Sequence, residues 1–593
     1  MKRKWIVKEK ISDELIKKFP DHDRVILQLL FNRGLTSESE QDYFLNPQYE
    51  RLISPFAMSG MQISAARLLS AIADQEKITI YADYDADAVT ACVVLYRFLS
   101  KLGARIDWYI PDRFDEGYGL NQEAIKSIAD RGTRLIVTVD CGINALDEVI
   151  FANSLGVDVI VTDHHYILGN LPPASSVINP KLDDLPVLAG LTGVGVAFKL
   201  VQALIALIYS SEYQGMYGWK IPEIGSKKLS AFLGHARARI VPGWEKWLLD
   251  LVAIGTIADC QSLMGENRIL VKYGLSVIGK TKWPGLWEIV KNAGISEYAN
   301  FDSYSVGFII APRINAAGRI QHADIAFRLL ATDNPTEAAM YAGQVESLNL
   351  HRQRLTEQIL SEAKSIAEGQ QDRKVLLAAG VGWPRGVVGL VAARLVENYQ
   401  RPAIVLEKGA EVATGSARSW GSFNIVKALS GAQKYLERFG GHAAAAGLTL
   451  KNEFLDDFHN HIDATAGREL AESDFSRQEF VDFIAEPEQI TDALLEELKN
   501  FEPFGPDNPP VTVLLQDLTL EQTRLVGATG KHLKLQATKN DRVYEFIGFG
   551  KAQEGLRLAP GENLEVVVEP SHNHWNGLRR VQLKIRDLRK TSA

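Results

Sequence analysis

Three apolar, β-branched stretches of this chain each run directly into carboxylates or histidines. Asp83, Asp85 and Asp87 follow residues 78–82, Asp140 follows residues 135–139, and Asp163, His164 and His165 follow residues 159–162. Short apolar runs of this composition predict buried strands of a parallel sheet, and ligands bind such a sheet at the carboxyl ends of its strands. We therefore expect these polar side chains to meet at one edge of a single sheet.

Such a cluster predicts a metal centre. A fourth acidic residue, Asp259, follows the apolar segment 251–258 and is expected to join it. Carboxylates held close together repel one another unless a divalent cation neutralises them. Oxygen-rich sites with an imidazole suit Mn²⁺ or Mg²⁺, and a pair of such ions is the usual apparatus of phosphoester hydrolysis. The residues therefore indicate metal-assisted phosphoester chemistry.

Each acidic stretch also has a simpler interpretation when it is taken alone. Asp140 fits a turn or helix cap, Asp-His-His fits a polar turn, and the alternating aspartates at 83–87 fit a solvated loop. A calcium loop of the helix–loop–helix kind is excluded, because Ala88 stands where that loop needs glycine. The occurrence of four such sites in one chain favours the metal centre.

The motifs, taken in order, resemble a known superfamily. Residues 83–87 (Asp-Tyr-Asp-Ala-Asp), 139–142 (Val-Asp-Cys-Gly), 162–165 (Thr-Asp-His-His) and 255–259 (Gly-Thr-Ile-Ala-Asp) are similar to the four motifs of the DHH phosphoesterases. Residues 312–319, 415–419 and 439–447 further resemble the RecJ family of bacterial single-stranded-DNA exonucleases. This resemblance extends from Arg33-Gly34 to the segment Asn573-x-Trp575-x-Gly577.

The resemblance implies roles for individual residues of this sequence. Two divalent cations, Mn²⁺ or Mg²⁺, would be held by Asp85, Asp87, Asp140, His164 and Asp259. The catalytic residues that complete the shell, orient ligands or stabilise the leaving group would be Asp83, Asp163 and His165. The substrate-binding residues would be Arg313, Asn315, Arg319, Arg385, Ser416, Arg418 and His442 for phosphates, and Phe546, Phe549 and Trp575 for bases.

Two positions depart from the family pattern. Ala88 replaces a glycine after the third aspartate of the first motif, and alanine restricts positive φ. Pro384 replaces a histidine in the segment Trp383-Pro384-Arg385-Gly386-Val387, so one nucleotide contact of the second domain is expected to be lost. Arg385 is a candidate replacement for that contact, or else an ordinary loop arginine.

The predicted fold class is α/β, with a parallel-sheet DHH domain, a long connecting helix, a second α/β domain of the DHHA1 type and a C-terminal OB-like β-barrel. Alternating β-branched and helical patterns indicate the parallel sheet, and Asn334-Pro335 provides a cap and first-turn proline for the connecting helix. Five short strands near the C-terminus indicate a barrel. The expected ranges are 1–55 (N-terminal helical region), 56–333 (DHH catalytic domain), 334–369 (connecting helix), 370–465 (DHHA1-type domain), 466–507 (acidic helical linker) and 508–593 (barrel).

Composition narrows the class of protein. No apolar run reaches the ~18 residues needed to span a bilayer, and the charged N-terminus lacks the apolar core of a signal peptide. The three cysteines have no paired spacing, which is typical of reduced thiols. We therefore expect a cytoplasmic enzyme. A net charge of −8 argues against a uniformly basic surface, although Lys and Arg are concentrated near the C-terminus.

The expected function is a metal-dependent 5′→3′ exonuclease that degrades single-stranded DNA to 5′-mononucleotides in DNA repair and recombination. The resemblance also implies single-strand-binding protein and a RecQ-type helicase as partners. One alternative is a DHH-type phosphodiesterase for oligoribonucleotides or other small phosphoesters, which would have little use for a C-terminal barrel. Another is a non-catalytic DNA-binding scaffold, which would have little use for a cluster of carboxylates.

Overall fold

The computed structural model describes residues 4–20, 22–223, 227–296, 301–471, 478–575 and 578–591. The chain divides into two compact units. One unit consists of residues 48–475, and the other combines residues 1–47 with residues 476–593.

The larger unit begins with a five-stranded parallel sheet. Its strands, in spatial order, are Arg105–Tyr109, Lys77–Ala82, Leu135–Val139, Asp158–Thr162 and Ser176–Ile178. Every residue of Leu135–Val139 is buried, as expected for a central parallel strand that helices cover on both faces. Because all five strands are parallel, their carboxyl ends lie at the same edge of the sheet.

Helices accompany this sheet and continue beyond it. They are Met61–Ala73, Ala86–Leu102, Gln122–Asp130, Leu146–Ser154, Gly193–Ile208, Ser210–Tyr217, Lys227–Arg239, Leu249–Ala258, Gly265–Ile278, Pro284–Asn292, Ala311–Ile320 and Asp324–Ala331. A π-helical turn, Ser305–Ile310, directly precedes Ala311–Ile320. The segment Gly193–Ile208 is buried throughout, so its long apolar run belongs to the core.

A 34-residue helix, Pro335–Glu368, links the first sheet to a second α/β domain. The Asn334 side chain caps this helix by accepting from the backbone N–H groups of Thr336 and Glu337. At 1.5 Å per residue the helix is about 50 Å long.

The second α/β domain has a mixed five-stranded sheet. Its spatial order is Leu436–Gly441, Ala445–Lys451, Val412–Arg418, Ala403–Lys408 and Leu376–Gly380. The last two strands are parallel, whereas the other pairings are antiparallel. The helices of this domain are Arg385–Tyr399, Ile425–Gly431 and Leu455–Glu469, and Pro384 is the residue before the first of them.

The smaller unit contains a closed five-stranded barrel. Its strands, in order around the barrel, are Val513–Val526, His532–Lys539, Arg542–Gly548, Leu578–Lys590 and Asn563–Trp575, and the last pairs back with the first. The short helix Ala552–Gly555 lies between the third and fourth strands of the sequence. Together with the two α/β domains and the connecting helix, this barrel confirms the predicted fold class.

Residues outside the barrel complete the smaller unit. The N-terminal region supplies the helices Asp13–Lys18, Arg24–Phe31 and Glu38–Leu45, and also the strand Lys4–Val7, which pairs with Gln478–Val481. The segments 1–55 and 466–507 were expected to be helical. The structure places strands in both, because each four-residue strand is too short to show a clear alternation and is stabilised by its distant partner.

Among the described residues no single helix is long and apolar enough to cross a membrane. The helices Gly193–Ile208 and Ser210–Tyr217 are long and apolar enough only when taken together, and a bend of 117° separates them.

Candidate metal centre

The acidic residues meet at the carboxyl edge of the first sheet. Asp83, Asp140 and Asp163 directly follow the strands Lys77–Ala82, Leu135–Val139 and Asp158–Thr162. Asp259 reaches the same place from a different element, because its apolar segment is the helix Leu249–Ala258 and Asp259 is the residue that ends it.

His164 is the common neighbour of the carboxylates. Its Nε2 lies 3.0 Å from Asp140 Oδ1, 3.6 Å from Asp259 Oδ2 and 4.0 Å from Asp87 Oδ2. Two sets of potential ligand atoms each lie within 4.8 Å of one another. The sets are Asp87–His164–Asp259 and Asp140–His164–His165. The two sets overlap at His164, so together they form one continuous cluster of potential metal ligands around its ring.

His165 and Asp163 form a hydrogen-bonded pair beside the carboxylates. The distance from His165 Nδ1 to Asp163 Oδ1 is 2.7 Å. Asp163 also accepts from the backbone N–H groups of His164, His165 and Ile143. With so many donors Asp163 is an orienting residue for the Asp-His-His turn, and its oxygens are less available to an ion.

Several polar atoms of the cluster are buried without a hydrogen-bond partner among the described residues. They are Asp83 Oδ1, Asp140 Oδ1, Asp259 Oδ2 and both ring nitrogens of His164. Buried polar atoms nearly always have a partner, and orphaned ones point to an unrecorded ion or water. Carboxylate oxygens and an imidazole are ligands that Mn²⁺ and Mg²⁺ accept. The residues present therefore fit divalent cations.

Burial and mutual repulsion shift the pKa values of these groups. Burial, together with the neighbouring charges of Asp85 and Asp87, raises the pKa of Asp140 well above its usual range. Burial and the charge of Asp85 raise the pKa of Asp259 to about 6. Burial lowers the pKa of His164 to about 3, so its imidazole is neutral and able to bind a metal. A bound cation would relieve the repulsion between the carboxylates.

The His165–Asp163 pair shifts in the opposite sense. Burial is the largest single influence and disfavours both charged forms, but the hydrogen bond between the two side chains, their mutual attraction and the other neighbouring groups together outweigh it. The pKa of Asp163 is therefore lowered and that of His165 is raised. The pair is held as carboxylate and imidazolium over a wider pH range than the free residues.

Local backbone features explain how the first motif is positioned. Asp85 caps the helix Ala86–Leu102, and its Oδ1 accepts from the N–H of Ala88 at 3.0 Å. Ala88 lies in the first helical turn, where alanine is favourable, so its departure from the family pattern causes no strain there. Asp87 accepts from the N–H groups of Gly193 and Val194, at 2.6 and 3.0 Å.

Two glycines make room for the cluster: Gly193, which lies outside the motifs, and Gly255, which begins the fourth motif. A Cβ at Gly193 would lie 2.5 Å from Asp140 Cβ, and a Cβ at Gly255 would lie 2.7 Å from Asp87 Oδ1. Neither contact is tolerable, so both positions require glycine.

Three further residues were not identified from the sequence. Tyr118 Oη lies 3.3 Å from His165 Nδ1 and 3.4 Å from the carbonyl oxygen of Asp140. Lys181 donates to the carbonyl oxygen of His164. The Arg113 guanidinium lies 4.6 Å from the ring centroid of Tyr84. Arg113 and Tyr118 belong to a loop after Arg105–Tyr109, and its Arg-Phe-Asp-Glu-Gly-Tyr-Gly sequence was the available signal.

An arginine-lined cavity of about 330 Å³ lies within the same unit. Arg113 and Arg319 come from the first domain, whereas Arg385, Ser416 and Arg418 come from the second. We name it the arginine cavity. Among the described residues, no carboxylate lies within 4.0 Å of Arg113, Arg319 or Arg418 in an ion pair. Three unpaired guanidinium groups in one cavity can bind a phosphate.

The electrostatics connect the cavity to the metal centre. Burial and the charge of Arg113 lower the pKa of Arg418, and burial with neighbouring arginines lowers that of Arg319 to about 9. The charge of Asp85 opposes this lowering of the Arg319 pKa, and the charge of Arg113 opposes the rise that burial causes in the pKa of Asp83. The arginine cavity therefore lies within electrostatic reach of the carboxylates.

Not every predicted phosphate contact reaches the cavity. Arg313 is ion-paired with Glu346, with Nε 2.6 Å from Oε2, so its guanidinium is already engaged. Asn315 instead lies at the metal centre, where its Oδ1 accepts from the Ala86 N–H at 2.9 Å. His442 is exposed and lies outside the lining residues, with its ring centroid 6.4 Å from that of Tyr166. Arg385 lines the cavity but also donates to Glu407.

The predicted stacking residues of the barrel differ in exposure. Phe546 is 1% exposed and belongs to the barrel core, which corrects its assignment as a base contact. Phe549 lies just past that strand and is 60% exposed. The side chain of Trp575 lies outside the described residues.

Comparison with known proteins gives three family-model matches. The model described as "DHH family, N-terminal domain" matches residues 77–226, "DHHA1 domain" matches residues 372–468, and "RecJ OB domain" matches residues 481–587. These matches fall on the first sheet, the second α/β domain and the barrel, in that order.

Relatives and solved structures agree with these matches. The Bacillus subtilis protein named single-stranded-DNA-specific exonuclease RecJ is 38% identical over 96% of this chain and 70% of its own length. The structure of Thermus thermophilus RecJ in complex with Mn²⁺ is 30% identical, with a TM-score of 0.80 over 100% of this chain and 80% of that one. The corresponding Mg²⁺ complex gives 29% identity over 100% and 79%, with a TM-score of 0.75.

The match to the Bacillus protein covers most of both sequences, and the three domain models follow one another along the chain. The acidic motifs on which the resemblance depends are the ones that the fold gathers at one edge of the sheet. This chain belongs to the RecJ family of DHH phosphoesterases.

Proposed function

We propose that this chain is a metal-dependent exonuclease that removes 5′-mononucleotides from single-stranded DNA in the 5′→3′ direction. The observation that carries the proposal is the cluster of buried, unpartnered carboxylate and imidazole atoms beside the arginine cavity. The first can hold the ions that hydrolysis of a phosphodiester needs, and the second can hold the phosphate at the end of the strand.

Asp85, Asp87, Asp140, His164 and Asp259 would hold Mn²⁺ or Mg²⁺ ions, which would supply an acidified water and neutralise charge on the scissile phosphate. Asp83 extends the same carboxylate shell. Asp163 fixes the turn that carries both histidines and helps to raise the pKa of His165, which favours its imidazolium form. The imidazolium of His165 stabilises negative charge that develops on the leaving oxygen.

The arginine cavity gives the enzyme its direction. Arg319, Arg418 and Ser416 bind the 5′-terminal phosphate. Arg113 also lines the cavity, and its charge influences the pKa values of both Arg418 and Asp83. A terminal phosphate held there puts the following phosphodiester at the metal centre. Hydrolysis then releases one 5′-mononucleotide, and the shortened strand can be bound again in the same way.

Partners and cellular role follow from family membership and are part of the proposal. The chain acts on single strands in DNA repair and recombination, in the cytoplasm, together with single-strand-binding protein and a RecQ-type helicase. The barrel in the smaller unit supports a grip on longer strands, because OB-type barrels hold single strands by stacking and by basic side chains.

Digestion of a single-stranded oligonucleotide labelled at either end tests the function. With Mn²⁺ we expect the 5′ label to appear first as a mononucleotide, while the 3′ label stays on a ladder of shortening strands. Excess EDTA should abolish both signals. Early release of the 3′ label would contradict the polarity, and activity that survives EDTA would contradict the metal requirement. A parallel reaction with a short oligoribonucleotide tests the small-substrate alternative, which predicts faster cleavage of that substrate.

The contribution of the barrel is tested at Phe549. Its exposed ring lies 5.4 Å from that of His532, centroid to centroid, and offers a free face. Loss of one stacked base costs about 1 kcal/mol at the lower end of the observed range, so Phe549→Ala should weaken binding of a long single strand about fivefold. Fluorescence anisotropy measures the affinity.

A second exposed phenylalanine of the same unit, Phe480, provides the matched control. Phe480→Ala should bind the strand like the parent protein. Equal weakening in both variants, or in neither, would show that Phe549 is not a stacking contact.

A further inference from the structure

Two exposed aromatic rings are stacked on the helical segment that leads into the metal centre. Tyr304 is 64% exposed and Phe308 is 71% exposed. Their ring centroids are 4.9 Å apart and their planes are inclined by 25°. The pair therefore presents a preformed apolar surface to the solvent, and neither the metal centre nor the arginine cavity uses it.

The segment that carries the pair is fixed against the metal centre. The π-helical turn Ser305–Ile310 continues directly into the helix Ala311–Ile320, and Val306, Ile310 and Ile314 are buried on its inner side. A Cβ at Gly307 would lie 3.3 Å from Ile257 Cγ2, so the turn packs closely on the helix that ends at Asp259. π-Helical turns of this kind are frequent at functional sites.

The aromatic pair shares a helix face with two residues already placed in the site. Asn315 and Arg319 follow Phe308 by seven and eleven residues, and such spacings return to the same face of a helix. Asn315 accepts from the Ala86 N–H between Asp85 and Asp87, and Arg319 lines the arginine cavity. From its C-terminal end, one face of this segment thus carries a residue that lines the cavity, a residue at the metal centre and then the aromatic pair.

We propose that Tyr304 and Phe308 stack against bases on the 3′ side of the scissile bond. The inference rests on the proposed function, because a 5′ phosphate at Arg319 and a scissile bond near Asn315 direct the rest of the strand toward Phe308. Seven residues of helix span about 10 Å, or about three bases at the 3.4 Å repeat of one strand. Aromatic rings hold single strands by stacking, without reading their sequence.

The aromatic pair should affect the binding of long strands and not of the shortest substrate. A 5′-phosphorylated dinucleotide ends before the pair and reports on the metal centre alone. For Tyr304→Ala combined with Phe308→Ala, we expect KM on a twenty-nucleotide strand to rise about 5- to 30-fold. The value of kcat/KM on the dinucleotide should stay at the parent level. Tyr304→Phe, which keeps the ring, should behave like the parent protein on both substrates.

The matched control lies on the connecting helix. Met340 is 50% exposed and is apolar, so Met340→Ala removes exposed apolar surface from a different helix of the same unit. This variant should keep the parent KM on both substrates. A rise in KM for Met340→Ala that equals the rise for the aromatic double variant would contradict the assignment.

A fluorescent base reports stacking directly. In an Asp140→Ala background, a strand with 2-aminopurine at the third or fourth position should be quenched on binding. The aromatic double variant should lose that quenching, while 2-aminopurine at the tenth position should respond equally with and without the pair.

The outcomes separate the two proposals. If the parent protein cleaves neither substrate, the proposed function fails. If the parent protein is active but the double variant keeps the parent KM on the long strand, the proposed stacking of Tyr304 and Phe308 on bases is contradicted. An equal loss of activity on the dinucleotide would contradict it as well. An unchanged KM together with lost binding of a protein partner would assign the pair to protein docking instead.

Discussion

Replacement of Asp140 by alanine, or of His164 by alanine, is expected to lower kcat by about 10³-fold or more, because metal-ion stabilisation of the transition state is worth several kcal/mol and each 1.36 kcal/mol is tenfold in rate. Both residues contribute to the Asp140–His164–His165 group, and His164 also belongs to the Asp87–His164–Asp259 group. Single-turnover release of a 5′-labelled nucleotide measures the effect. Affinity for single strands should change little, because the arginine cavity and the barrel are untouched.

The control for this experiment is another aspartate near the same strand end. Asp147 is exposed in the first turn of Leu146–Ser154, and Asp147→Ala should keep the parent kcat. Thermal unfolding in the presence of EDTA checks that the Asp140 and His164 variants are folded. Near-normal turnover in a folded Asp140→Ala or His164→Ala protein would show that the carboxylate cluster is not the catalytic centre.

The second large effect is expected at Arg418, which lines the cavity and donates to Ser416 Oγ at 2.6 Å. Its charge has no carboxylate partner within 4.0 Å among the described residues, so a phosphate is its natural counterion. Loss of one charge-assisted hydrogen bond costs roughly 1.5–3 kcal/mol, or about 10- to 150-fold. Arg418→Ala should therefore lower kcat/KM on 5′-phosphorylated strands by that factor and on 5′-hydroxyl strands by much less.

Lys427 offers a matched cation in the same domain. It is exposed on the helix Ile425–Gly431, so Lys427→Ala removes one positive charge without reaching the cavity. This variant should retain the parental preference for a 5′ phosphate. If Arg418→Ala impairs both kinds of strand equally, the cavity does not bind the terminal phosphate.

The sequence predicted the clustering of these carboxylates because the elements that carry them follow a simple rule. Asp83, Asp140 and Asp163 each end an apolar run, and parallel strands bring such residues together whatever their separation along the chain. Asp259 was predicted to join them although it ends a helix. An apolar segment of that length does not distinguish a strand from a buried helix.

Other parts of the site depend on packing that no local pattern encodes. Arg113 belongs to a loop after an outer strand, and only the meeting of two domains brings it near Arg418. Arg313 looked as available as Arg319, but Glu346 from the connecting helix engages it. Phe546 and Phe549 were indistinguishable as aromatic residues of one strand region, and barrel closure buries the first and exposes the second.

The pairing of the strand Lys4–Val7 with Gln478–Val481 has a consequence for how the protein is made. Residues 4–7 leave the ribosome long before residues 478–481 are made, so the N-terminal strand stays without its partner strand during most of the synthesis between them. The larger unit is continuous in sequence, so residues 48–475 can fold while the remaining chain is still being made. A prematurely terminated chain would therefore carry a folded catalytic unit and an N-terminal strand with an unpaired edge, which is a typical starting point for aggregation.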